Sequence, residues 1–120
     1  MTRANINFVY QNTGEAPRTL YMYHNGGQYP SGMRDFFSVL DFTEGDMTPE
    51  RFKAWVLMNY EVEVEDLGEG GQPKIYYTNG FSTDYSYVFD ADGQISVWNW
   101  KDLIFDGNKK EFKTWILKQK

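Results

Sequence analysis

The stretch Tyr85-Ser86-Tyr87-Val88-Phe89-Asp90-Ala91-Asp92-Gly93-Gln94-Ile95-Ser96-Val97-Trp98-Asn99-Trp100 decides the class of fold. Residues 85–90 and 94–100 are rich in Tyr, Val, Ile, Phe and Trp, side chains that suit a pleated surface. Between them stands Asp92-Gly93, the pair favoured in a type I′ turn because both central residues there need positive φ. The reading is a β-hairpin. Residues 74–78 have the same composition and predict a strand ahead of it.

Outward from this hairpin, residues 4–10 alternate: Ile6, Phe8 and Tyr10 share one face, and Asn5, Asn7 and Val9 the other, which predicts a half-buried strand. Asn12, Gly14 and Pro17 form a turn cluster, and residues 18–24 predict a second strand paired with the first. Residues 25–32 hold three glycines and a proline, an irregular loop ending on Ser31, which can cap a helix. Met33, Phe36, Phe37 and Leu40 follow at helical spacing, and that helix is expected to stop near Phe42. Thr48-Pro49-Glu50 opens a second helix, with Phe52, Trp55, Val56 and Asn59 or Tyr60 as its buried stripe. Residues 61–66 fit an exposed strand or a continuing helix, and residues 68–73 read as a loop. At the C-terminal end Asn108 and Glu111 have capping-box spacing, and Phe112, Trp115 and Ile116 repeat as in a helix. A strand over 112–117 is the alternative.

The expected architecture is one α+β domain over residues 1–120, in the order β-β-α-α-β-β-β-α. A mainly antiparallel sheet would carry the helices packed on one face and show aromatics on the other. A chain of this length buries roughly two-thirds of its unfolded surface and needs no staples.

Composition narrows the function classes. With no cysteine and one histidine, thiolate nucleophiles, disulfides and the common zinc sites are excluded. The formal net charge of −5 disfavours duplex nucleic acid. No run of apolar residues is long enough for a signal peptide or a membrane helix, so a cytoplasmic protein without membrane partners is expected. The charges segregate: residues 44–69 are acid-rich, and the last twenty residues carry six lysines. Aromatics make up 18% of the chain, more than so small a core can fully bury. Some are expected at a pocket or an interface, which makes a homo-oligomer the expected state.

The loop His24-Asn25-Gly26-Gly27-Gln28-Tyr29-Pro30-Ser31-Gly32, leading into Met33-Arg34, is the candidate binding site. Glycines let backbone N–H groups approach an anion, a helix start adds partial positive charge, and Arg34 can make a bidentate phosphate contact. Neither Walker nor Rossmann glycine spacing is present, and a plain strand-to-helix connection accounts for the same residues. His24 reads as a structural histidine or a ligand contact. Phe81, on a short polar connection near Tyr76, Tyr77 and Trp98, either stacks on a base or tucks into the core. Asp90 and Asp92 hint at paired-carboxylate or calcium chemistry, but turn chemistry explains them. No catalytic residue, metal site or cofactor is assigned.

The stretch from Leu20 to Gly32 resembles a loop of small phage and prophage proteins, Tyr-x-His-x-Asp-Gly-Tyr-Pro-x-Gly, set between a strand and a helix. Residues 85–97 are similar to the closing hairpin of those proteins. Gly-Gly-Gln stands here in place of the motif's Asp-Gly, so the acid's role does not transfer. More distantly the chain resembles the Thoeris anti-defence sponges. That resemblance implies an oligomeric, non-catalytic protein acting in the cytoplasm of an infected bacterial cell. It would sequester a small nucleotide ligand, a cyclic ADP-ribose isomer or a cyclic oligonucleotide. His24, Asn25, Gly26, Gly27, Tyr29, Arg34 and Phe81 are the expected ligand-binding residues. The competing expectation is an acidic inhibitor of a defence complex, resembling anti-CRISPR nucleic-acid mimics, with residues 44–69 covering a basic groove.

Overall fold

The first strand, β1 (Arg3–Tyr10), lies at the centre of the sheet and is buried on both faces. The structure is a computed structural model that describes residues 3–25, 48–59, 64–73, 77–78, 81–82, 85–90 and 92–119. Ala4, Ile6 and Phe8 of β1 enter the hydrophobic core, while Asn5, Asn7 and Val9 are buried on the opposite face. Such a strand needs a neighbour on each side to satisfy its backbone. One neighbour is β2 (Arg18–Asn25), antiparallel, with Ile6 opposite Met22. The other is β6 (Tyr85–Phe89), which runs parallel and sets Ile6 opposite Tyr87.

Around this trio lie α1 (Pro49–Asn59), β3 (Glu65–Glu69), β4 (Tyr77–Thr78), β5 (Phe81–Ser82), β7 (Ile95–Asn99), β8 (Asp102–Gly107) and α2 (Lys109–Leu117). The main sheet has six strands in the order β3-β2-β1-β6-β7-β8, and β4 and β5 form a separate pair. The α+β class holds. The order differs from expectation in three strands, β3, β5 and β8, and the sheet has one parallel junction at its centre. The helix expected over 33–42 lies outside the described residues. β3 forms where the chain was ambiguous and then loop-like, because half-buried Leu67 and a bulged register hold it on β2 between Arg18 and Leu20. β8 escaped notice because its turn is Trp100-Lys101, which has no turn signature, and Asp102 and Asp106 break its apolar pattern.

The β6–β7 hairpin stands where the sequence put it, with a different turn. Gly93 N–H donates to the Asp90 carbonyl at 3.0 Å, Asp90 N–H donates to the Gln94 carbonyl at 2.8 Å, and Gly93 has φ +86°. This is a three-residue loop closing on a left-handed glycine. Asp92 is not in the left-handed region that a type I′ turn demands, since Trp100 is the only described non-glycine residue with positive φ.

α1 contributes Phe52 and Val56, and α2 contributes Phe112 and Ile116, to one cluster with Ile6, Phe8, Leu20, Met22, Tyr87 and Val97. Both helices therefore cover the same face. Rings run through this core: Phe8 stacks on Phe52 at 5.2 Å, and Phe89 on Phe112 at 5.9 Å. The other face is not the uncovered aromatic surface expected. At its centre Asn5, Asn7, Thr19 and Ser86 are fully buried. Asn7 Nδ2 donates to Asn5 Oδ1 at 3.1 Å, and Asn5 Nδ2 has no acceptor among the described residues.

Asn108 decides helix against strand at residues 112–117. Its side chain accepts from Glu111 N–H at 2.9 Å, and Glu111 Oε1 accepts from Asn108 N–H at 3.0 Å, a complete capping box. Asn108→Ala is expected to cost about 1 kcal/mol in chemical denaturation. Trp100, at φ +53°, pays the left-handed penalty with a bulky side chain. Trp100→Gly is expected to raise stability by roughly 0.5–1 kcal/mol: relief of the strain outweighs the lost Lys101 contact and the entropy of glycine. Urea titration of both variants checks the two signs.

Candidate functional site

Because β1 and β6 are parallel, their carboxyl ends lie together, at Tyr10 and Phe89. β8 ends at the same margin of the sheet, where Gly107 pairs with Ile95, and α2 starts there. Two turns and a helix start thus converge. The turn after β1 closes with Glu15 N–H donating to the Asn12 carbonyl at 3.1 Å, and Gly14 takes φ +79°. Gly107 is confined: a Cβ there would lie 2.9 Å from the Phe105 ring tip and 3.2 Å from Glu111. A larger residue would push against the capping box.

Between these parts lies a cavity of about 960 Å³. Its apolar wall is Phe8, Tyr10, Phe52 and Phe89, of which half-buried Tyr10 is the most accessible ring. Tyr10 stacks on Phe8 at 6.2 Å. Lys109 and Lys110, in the first turn of α2, supply cationic lining beside the positive end of the helix dipole. Asp90 and Asp92, from the β6–β7 loop, supply anionic lining. The cavity therefore offers rings, cations and carboxylates together.

Asp90 titrates above the ordinary aspartate range. Partial burial is the main cause, and the nearby charges of Asp92 and Asp106 add to it. Asp92 Oδ1 accepts from Gln94 N–H at 3.0 Å, so the expected turn role is real, and the same aspartates also edge the cavity.

Of the sequence-predicted site residues, the described ones stand away from this cavity along the backbone. His24 and Asn25 end β2, and His24 shares a cross-sheet row with Ala4 and Tyr85 at the amino end of β1. At about 3.3 Å per residue, that row lies roughly 20 Å from Tyr10 along the strand. Phe81 is on β5, paired with Thr78, ahead of the same end of β6. Gly26, Gly27, Tyr29 and Arg34 lie outside the described residues. Sequence reasoning missed Tyr10, Lys109 and Lys110. The available signal was Lys-Lys directly after a capping asparagine, an anion-favouring helix start read only as a cap.

The acidic region is partly committed to the fold. Asp66 accepts from Gly68 N–H at 2.9 Å and bridges Arg18 at 3.4 Å, and Glu69 Oε1 accepts from Ala16 N–H at 3.2 Å. Asp66 is held below the usual aspartate range, by the Gly68 bond first and then by Arg18. Among the described residues, no group of three or more His, Asp or Glu is arranged for a metal ion, and no helix is long and apolar enough to cross a membrane. Comparison with protein-family models, with curated proteins and with solved structures returns no match.

The two aspartates predict opposite pH signatures. Asp90, raised in the folded state, makes its favourable contribution only when protonated, and loses it as pH rises through its folded-state pKa. Asp90→Asn should therefore raise the thermal midpoint at pH 7, with the gain fading at pH 3. Asp66, lowered in the folded state, contributes stability above its unfolded pKa, and loses it as pH falls through the folded value. Asp66→Asn should lower the midpoint at pH 7, and the loss should shrink as pH falls to 3. Thermal melts at the two pH values test both signs.

Proposed function

We propose that this chain is a non-catalytic binding protein that sequesters a small nucleotide signal, of the cyclic ADP-ribose or cyclic oligonucleotide type. Its binding site is the cavity at the carboxyl ends of β1 and β6. The observation that carries the reading is the cavity's mixed lining: Tyr10 on a wall of rings, Lys109 and Lys110 at a helix start, and Asp90 and Asp92 beside them. A nucleotide has three matching parts. Its base stacks on an accessible ring, its phosphate is attracted to lysines at a helix N-terminus, and its base amino groups donate to carboxylates. The volume is near the upper end of the roughly 300–1,000 Å³ usual for small-molecule sites. The resemblance of residues 20–32 to a phage loop supports a setting in the cytoplasm of an infected bacterium, where depletion of a defence signal would be the outcome.

Sequestration requires tight binding, since nanomolar affinity corresponds to about −12 kcal/mol. Calorimetry with a cyclic ADP-ribose isomer and with cyclic dinucleotides is expected to find one nanomolar ligand, recovered intact after heat denaturation. Lys109→Glu/Lys110→Glu is expected to weaken it at least tenfold, and Tyr10→Ala by a comparable factor. Failure of every such ligand to bind below micromolar concentration would remove the proposal. A converted product would replace sequestration with turnover.

A further inference from the structure

β8 is the last strand of the sheet, and it has no strand partner beyond it among the described residues. It is also where the described exposed apolar side chains gather. Trp100, Leu103 and Ile104 are 52%, 48% and 40% exposed, and among the described residues the only other large hydrophobic exposed to this degree is Leu117 on α2. Leu103 pairs with Trp98 across the sheet, and the register shift between Val97 and Trp98 leaves Ile104 with no residue of β7 opposite it. Trp100 keeps a left-handed backbone in the adjoining turn, with Lys101 Nζ 4.8 Å from its ring centroid. An exposed apolar edge is the template on which another strand pairs, and soluble proteins ordinarily blunt it.

The charges choose the occupant. Asp102 and Asp106 flank the apolar residues, and both are exposed. Pairing of two β8 strands about Ile104 sets Asp102 of each opposite Asp106 of the other, like charges in direct opposition. Pairing of β8 with β3 of another copy brings these acids to Glu65, Asp66 and Glu69, also exposed. Both modes of self-pairing are therefore repelled. A strand with apolar residues at its centre and lysine or arginine at its ends meets Leu103 and Ile104 with apolar contact, and Asp102 and Asp106 with opposite charge. We infer that β8 is a docking edge for an extended, basic-flanked apolar segment of a partner protein, added as a seventh strand. This inference does not rest on the nucleotide reading.

The probes are two synthetic peptides with capped ends, Lys-Val-Ile-Val-Lys and Glu-Val-Ile-Val-Glu, titrated into the full chain by calorimetry. The basic peptide is expected to bind at least tenfold more tightly than the acidic one. Leu103→Lys should weaken it tenfold or more, and Trp100→Gly should weaken it without loss of thermal stability. Asp102→Lys/Asp106→Lys should invert the preference, a result that a merely structural role for these aspartates does not produce. Asp102→Lys alone, at an exposed position, should abolish the preference even if the double variant fails to fold. Equal binding of the two peptides, or binding of neither, overturns the inference. So does a dimer in sedimentation that Leu103→Lys dissolves, which would make a second copy the occupant.

Discussion

The parallel ladder between β1 and β6 is the constraint from which the rest of the molecule follows. It places Tyr10 and Phe89 at one margin of the sheet. The meander through β7 and β8 then delivers Gly107, Asn108 and the start of α2 to the same margin. Reversal of β6 would send Phe89 and Asp90 to the far end, and the ring wall would separate from the lysines. β1 is also buried on both faces. A strand with backbone partners on each side and helices over one face has only its second face left to water, and here that face is covered too.

What fills that second face bears on specificity. Asn5, Asn7, Thr19 and Ser86 replace the apolar residues that would maximise burial. An orphaned buried donor such as Asn5 Nδ2 costs free energy. Side chains alternate along a strand, so a slip of β1 by one residue would drive both asparagines among Phe52, Phe112 and Val97. The polar row thereby penalises the wrong register more than it weakens the right one.

Local chemistry was legible where it was self-contained. The alternation of residues 4–10, the Thr48-Pro49 helix start and the Asn108–Glu111 capping box each depend on side chains a few positions apart, and each element stands where it was read, although β1 is buried on both faces and not on one. The hairpin at Asp92-Gly93 was visible, but its turn type was not. Glycine alone takes the left-handed position there, and the sequence pair did not reveal a third loop residue. Strand direction at the centre was illegible for a different reason. Nothing near Ile6 or Tyr87 encodes whether a strand returning after a long excursion runs with β1 or against it. The candidate site depended on that direction. The glycine-rich loop of residues 24–34 lies mostly outside the described residues, and the described lining of the cavity comes from segments at 8–14, 52, 89–95 and 108–110 that share no motif.

The central ladder has a further consequence in time. Asn7 Nδ2 reaches the Tyr87 carbonyl at 3.5 Å across 80 positions of chain. As the polypeptide emerges from the ribosome, β1 and β2 are complete long before β6 exists, and a two-stranded hairpin is marginal in water on its own. Contacts of such high sequence separation are slow to form. Until the last third of the chain has been made, the N-terminal strands lack the partner that completes their core, and their rings stay open to unwanted association.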